Sequence, residues 1–431
     1  MAVHKSLHFN HAPRRSSPRE HDLENLRSFL TGLVIFHHTA IVYGGVGGWG
    51  FKPLCFPAAS LALTAFNAIN QTFFMGTFFF LSGHFTRQSM SRSSKSKADL
   101  IRSRLLRLGV PTLLHTLLVD PTLKALVMLF DPMREMKADR TTVGDVYGTY
   151  WSQLRGVRGP VWYLAMAMVF DFLTVIVFPA QFGDLLKWLC ASQSKSLLIP
   201  TLWVANILTS FMLRLVYPVE RIFTLLNLRP AFLAHYIMAY VWGHASVLAC
   251  ENLIFAPFRG TIRPLTDLVW SLCLTVLGLF VVFGVSLFLS GSVSASVESL
   301  MGGFTLPALL YTVWNEVSFA LMAPALMRVF ARYMNHPVHV SIPGYRSDFS
   351  RKVLLARYSY AAFLSHAFVS LGVELAVEIL CACSSIPSPS TMYTYFGPIL
   401  MSTSVGVINV LLSYFVGYML VEYVPRAGNI I

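Results

Sequence analysis

Apolar residues run along this chain in ten long windows separated by short polar stretches. Their limits are Leu26 to Tyr43, Leu61 to Phe85, Val110 to Phe130, Val161 to Phe182, Leu197 to Tyr217, Ala231 to Cys250, Leu268 to Leu289, Thr305 to Phe330, Val353 to Leu380 and Phe396 to Tyr423. A helix that crosses the hydrocarbon core needs about 20 mostly apolar residues, and each window supplies roughly that length. The pattern therefore predicts an all-α fold, a polytopic transmembrane bundle of about ten helices. Residues 1–21 read as a disordered tail, 22–425 as one membrane domain and 426–431 as a second tail. A cleaved signal is not expected at the start, because the first window is long, lacks a small-residue cleavage site and carries Arg27, His37 and His38.

Composition agrees, since 55% of the 431 residues are hydrophobic and 12% are charged, against roughly 25% charged in soluble domains. The net charge of +13 raises nucleic acid as a partner, but the positions of the basic residues exclude it. They sort by loop, with about 23 of the 33 Lys and Arg on one side of the predicted membrane, as the positive-inside rule requires. The densest run, Arg87 to Arg107, holds seven basic residues against Asp99 alone. This asymmetry places both termini in the cytosol, in an endomembrane or the plasma membrane. The six cysteines show no Cys-x-x-Cys spacing, so no metal site is expected.

Ionisable residues inside a bilayer cost several kcal/mol and mark the places to look for chemistry. Within or at the ends of the windows these are His37, His38, His84, His115, Asp171, Arg214, His235, His244, Glu316, His366, Glu374 and Glu378. The first window stands out because Arg27 and His38 are eleven residues apart. On a helix that is about 1100°, roughly 20° from full register, with a rise of about 16 Å. Glu24 lies near the same stripe and His37 points about 80° away. A cation at one end and an imidazole deeper in the membrane suit a ligand with an anionic head and a reactive tail. Arg104 and Arg107, one turn apart ahead of the third window, add a second place for phosphate.

Four segments carry a resemblance to a known family: Leu23-Glu24-Asn25-Leu26-Arg27 running to His37-His38, Phe79-Phe80-Leu81-Ser82-Gly83-His84-Phe85, Arg104-Leu105-Leu106-Arg107-Leu108-Gly109-Val110-Pro111, and Gly159-Pro160-Val161-Trp162-Tyr163-Leu164. A fifth is Tyr358 to His366. In this order and spacing the chain resembles the acyltransferase-3 family of membrane O-acyltransferases, including bacterial glucan succinyltransferases and related fungal proteins. His84 departs from the family pattern, which more often has an aromatic or aliphatic residue there.

The resemblance implies transfer of an acyl group from acyl-CoA, acetyl-CoA first among such donors, to a hydroxyl of a natural product or glycan, with no bound cofactor and no metal. An imidazole, with an ordinary pKa of about 6.5, suits removal of the hydroxyl proton. It assigns His38 as base with Glu24 as a carboxylate orienting the polar line, and Arg27, Arg104 and Arg107 to the donor phosphates. His37, Ser82, Gly83, His84, Trp162, Tyr163 and His366 are pocket candidates. A proton-coupled polytopic transporter is the alternative from another class. A second acyltransferase class that pairs Asn with His is met by Asn315 and His366.

Overall fold

The computed structural model describes residues 20–49, 51–53, 59–92, 96–130, 141–177, 179–191, 195–247, 263–342, 351–383 and 391–425. The predicted tails therefore fall outside it, apart from Glu20 and His21, which open the described chain.

Among the described residues thirteen helices make up the fold. They are α1 His21–Val42, α2 Leu61–Arg92, α3 Lys97–Leu129, α4 Val143–Ser152, α5 Gly159–Val177, α6 Pro179–Ala191, α7 Lys195–Val216, α8 Leu233–Ser246, α9 Pro264–Ser290, α10 Val293–Met301, α11 Leu306–Tyr333, α12 Ser359–Cys383 and α13 Thr391–Tyr423. One antiparallel hairpin, β1 His339–Ile342 with β2 Arg351–Leu354, pairs His339 with Leu354. Each of the ten apolar windows coincides with a helix. Six of these helices, α3, α5, α7, α9, α12 and α13, are long and apolar enough on their own to cross a membrane. A seventh span is the pair α10 and α11, bent by 65°. The expected ten thus divide: α8 is only 14 residues long, while α1 and α2 carry many polar residues.

Two boundaries differ from the sequence reading. α2 runs on to Arg92, and α3 begins at Lys97, so Arg104 and Arg107 lie within a helix and not on a segment leading into one. Ser96 starts α3 with a reciprocal cap, its hydroxyl accepting from the Asp99 amide while the Asp99 carboxylate accepts from the Ser96 amide. This short-range signal sets the start of the helix ahead of its apolar part.

α2 is the centre of the packing. Its Phe73, Phe74, Phe78, Phe79 and Phe80 are buried and join aromatic residues of α5 and α8 in the largest core cluster. α2 and α8 cross with their backbones almost touching. A Cβ at Gly83 would lie 2.1 Å from the Tyr240 carbonyl oxygen, and one at Gly243 would lie 2.0 Å from the Phe80 oxygen. Small residues that let two helices approach this closely are how membrane helices gain dispersion energy where no water is available to drive them together. At the periphery α9 turns Trp270, Phe280 and Phe288 outward, with exposures of 64%, 65% and 87%. Such a surface is tolerable only against lipid.

α1 is held in the bundle by polar links at three heights. Asn25 donates to the carbonyls of Met334 and His336, at 2.7 and 2.8 Å. Tyr414 donates to the Ser28 carbonyl at 2.7 Å, and Asn409 donates to Thr39 at 2.8 Å. These bonds fix the rotation of α1, and therefore the direction in which Arg27 and His38 face.

Candidate active site

His38, near the end of α1, belongs to a stack of three rings that all face one another. Trp49 has its centroid 4.6 Å from that of His38 at an interplanar angle of 28°, His366 of α12 lies at 5.4 Å and 22°, and Trp49 and His366 are 6.3 Å from each other, so the three rings form a triangular cluster of near-parallel planes. Trp49 is itself held by its indole N–H, which donates to the buried Glu374 carboxylate at 3.3 Å. The His366 Nδ1–H donates to the Phe363 carbonyl one turn earlier. That bond leaves Nε2 as the acceptor nitrogen of His366, and it is buried without a hydrogen-bond partner. The Nδ1 of His38 is also buried and unpartnered. His38 as a whole is half-buried, and its Nε2 is not among the buried nitrogens left without a partner.

His37 takes a different course. It is buried on the α2 side, its ring 4.8 Å from that of Phe74. Adjacent positions on a helix diverge by about 100°, and here one imidazole goes to the core and its neighbour to the stack.

One α1 stripe further down, Arg27 lies with its Cζ 5.8 Å from the Phe85 ring and its Nε buried without a hydrogen-bond partner. Arg107 is near enough to act on it electrostatically, as are Glu24 and the hydroxyls of Tyr163 and Tyr414. Arg107 is exposed, its Cζ is 5.7 Å from the Tyr360 ring, and the Tyr360 hydroxyl donates to its backbone carbonyl. Two guanidinium groups thus come together from α1 and α3 at the same end of the bundle.

Arg104 is within electrostatic reach of Arg107 but is committed to other partners. Its guanidinium pairs with Asp171 of α5, Nε to Oδ2 at 3.1 Å, and donates to Thr86 of α2 at 2.8 Å. Sequence spacing placed it beside Arg107 as one half of a phosphate clamp. Between them, however, the helix widens into a π-turn over Leu105–Gly109, in which the Val110 amide bonds to the Leu105 carbonyl five residues back. A widened turn rotates the residues inside it away from their ordinary α-helical neighbours.

A family model described as an acyltransferase domain matches residues 20–418. The chain belongs to this acyltransferase family. The match takes in every helix named above, up to the last turn of α13. No curated protein and no solved structure matches the chain.

Against this family, the remaining candidates of the acyltransferase sort by what they touch. Ser82 and Tyr163 share a hydroxyl–hydroxyl bond of 2.6 Å, and Tyr163 also donates to the Phe78 carbonyl at 3.1 Å. They lie close to Arg27 and line the same end of the bundle. Trp162 faces the aromatic core, its ring 5.7 Å from Tyr236 and 6.2 Å from Phe79. Gly83 is the contact point between α2 and α8 described above, so its role is packing. His84 is a tie between helix ends and not a pocket wall: Nδ1 meets Ser246 Oγ at 2.8 Å and Nε2 meets Glu20 Oε2 at 2.7 Å. Glu24 lies fourteen residues from His38, about 21 Å along the helix, so it cannot orient that imidazole. The carboxylate that reaches the stack is Glu374, through Trp49.

A second buried polar cluster sits behind α2. The Glu316 carboxylate accepts from Asn206 at 2.7 Å, Ser210 at 3.0 Å, His235 Nδ1 at 3.0 Å and Asn315 at 3.2 Å. Asn315 therefore belongs to Glu316, while His366 belongs to His38, and the Asn–His alternative has its two members in different clusters. Arg214 lies wholly buried between the Phe232 and Tyr311 rings, Cζ at 5.2 and 4.7 Å, with none of its three guanidinium nitrogens hydrogen-bonded.

Trp49 is a candidate that sequence reasoning missed, and Glu374, singled out as an ionisable residue within a window, was not assigned to the site. Trp49 follows a glycine-rich stretch, Gly44-Gly45-Val46-Gly47-Gly48, between two windows. Such a stretch reads as a connection until the fold lays it over the end of α1.

Proposed function

We propose that this membrane acyltransferase moves an acyl group, acetyl in the simplest case, from cytosolic acyl-CoA to a hydroxyl of a natural product or glycan. The observation that carries the reading is the arrangement on α1. Two guanidinium groups within electrostatic reach of each other, Arg27 and Arg107, lie at one end, and about 16 Å along the same helix an imidazole is held against Trp49 and His366. Guanidinium groups suit phosphate, and the Tyr163 hydroxyl, bonded to Ser82 and within electrostatic reach of Arg27, suits the polar arm that joins phosphates to a thioester.

In this reading His38 Nε2 takes the proton of the acceptor hydroxyl as its oxygen attacks the thioester carbonyl. The C–O bond forms, the C–S bond breaks, and the departing thiolate recovers the proton from the imidazolium. General-base catalysis of this kind contributes about a hundredfold to ten-thousandfold. The stack fixes the plane of the ring, and the Glu374–Trp49 bond fixes the stack, so the base is positioned before the substrate arrives. The charge asymmetry of the loops puts the Arg27 end in the cytosol.

A proton-coupled carrier with the same buried residues would not consume its ligand. Purified protein supplied with acetyl-CoA and a panel of hydroxyl compounds is followed by release of free thiol. Time-dependent release that requires an acceptor supports the transferase, and none with any acyl-CoA contradicts it.

A further inference from the structure

Asp171 has no place in the chemistry described so far, yet it is among the most heavily bonded side chains in the bundle. It is buried in α5 and accepts from three directions. Its Oδ1 accepts from Thr86 of α2 at 2.8 Å and from Tyr240 of α8 at 2.6 Å, and its Oδ2 faces Arg104 Nε of α3 at 3.1 Å. Arg104 closes a ring by donating to the same Thr86 hydroxyl at 2.8 Å. Thr174, one turn along α5, meets the Tyr240 hydroxyl at 3.2 Å. Four helices are pinned at this one carboxylate.

The geometry points to Asp171 as a positioning residue for the anionic end of the donor, acting through Arg104 on Arg107. This rests on the donor-binding reading of Arg27 and Arg107. The argument starts from α3. Arg104 and Arg107 are three residues apart, and on a regular α-helix they would face one neighbour together. The π-turn that begins at Leu105 changes the angle between them, so that they take different partners while staying within electrostatic reach of each other. Arg104 is turned to the core, where a cation at this depth is tolerable only with an anionic partner, and Asp171 supplies it. Arg107 is turned to Tyr360 and Arg27. The anchored residue thus sets the rotation of the turn that carries the free one. Without Asp171, Arg104 would be a second unpaired cation beside Arg107, free to draw the helix out of register. One guanidinium of the pair is spent on holding the other in place, and Asp171 decides which.

The test reads binding as well as turnover, so that failure of this inference and failure of the transferase reading are separate results. Affinity for CoA itself is measured by calorimetry on the full chain in detergent, for the native protein and for Asp171→Asn, Arg104→Gln, Arg107→Gln and the double variant Asp171→Asn/Arg107→Gln. We expect Asp171→Asn and Arg104→Gln each to weaken CoA binding about three- to tenfold, equivalent to about 0.7 to 1.4 kcal/mol. The KM for acyl-CoA should rise in step and kcat should stay within about twofold. Because the effect passes through Arg107, the double variant should bind no more weakly than Arg107→Gln alone. Unchanged CoA affinity in folded Asp171→Asn would overturn the inference, as would full additivity with Arg107→Gln. If Asp171→Asn does not fold, Tyr240→Phe removes the bonds to Asp171 and Thr174, Thr86→Val removes those to Asp171 and Arg104, and both leave the ion pair. They should weaken CoA binding measurably but less than Arg104→Gln, and unaltered affinity in both would overturn the inference equally. If the native protein itself binds no CoA, it is the transferase reading that falls.

Discussion

Two buried polar regions of this acyltransferase differ in one respect that separates structure from chemistry. Around Asp171 each carboxylate oxygen has its partners, from Thr86, Tyr240 and Arg104. Around His38 the rings are held by stacking, and the nitrogens are left over: Nδ1 of His38 and Nε2 of His366 are buried with nothing to bond. A buried polar group without a partner costs roughly 1–3 kcal/mol, so a fold keeps one where the group is used. The Asp171 ring spends its polar groups on position, and the His38 stack keeps its own available. Behind α2, Glu316 follows the first pattern with four donors, and Arg214 beside it follows neither.

Substitutions test this division, and the largest effect belongs to the stack. His38→Ala should lower kcat by roughly a hundredfold to ten-thousandfold with little change in donor KM, as for the loss of a general base. His37→Ala, whose ring packs on Phe74, should cost far less activity per folded molecule. Steady-state kinetics on monodisperse protein separates the two.

Next in size is the packing at α2 and α8. Gly83→Ala puts a methyl 2.1 Å from a backbone oxygen that cannot swing aside, and should destabilise by about 1–3 kcal/mol, read as a lowered Tm in detergent. An unchanged Tm would show that the crossing is looser than described. Arg107→Gln should raise the KM for acyl-CoA about tenfold and leave kcat nearly unchanged, because a contact to phosphate holds ground state and transition state alike. Loss of turnover at saturating donor would place Arg107 in the chemistry instead.

The smallest effect is expected at Arg214. Replacing an unbonded buried cation by an apolar side chain of similar length is often neutral or stabilising. Arg214→Met should therefore leave Tm unchanged or raise it, whereas Asp171→Leu, which strands Arg104, should lower it. Equal losses in both would erase the distinction between satisfied and unsatisfied groups.

The sequence made the helical windows legible because a bilayer demands long apolar runs, and it made the α1 stripe legible because helical period alone aligns Arg27 with His38. The capping pair Ser96 and Asp99 was equally local, though the apolar run hid it by starting later. The π-turn after Arg104 was not legible. Its five-residue bond leaves no mark in composition, and with it Arg104 goes to Asp171 and Thr86 while Arg107 goes to Tyr360. Nor was the Trp49–Glu374 bond, which joins residues separated by 325 positions. Glu24 was chosen for its nearness in sequence, whereas the carboxylate that reaches the stack arrives from α12 by tertiary folding. Gly83 and His84 lie in a segment that carries the family likeness, and the structure gives them work at helix crossings and ends.

The central claim is that His38 takes a proton in the acyl-transfer step itself. Its most direct test is a single-turnover measurement with folded His38→Ala and native enzyme, each saturated with acyl-CoA and acceptor and sampled by rapid quench. The account predicts native donor binding and a chemical step slowed by about a hundredfold or more. A single-turnover rate equal to that of the native enzyme would contradict it.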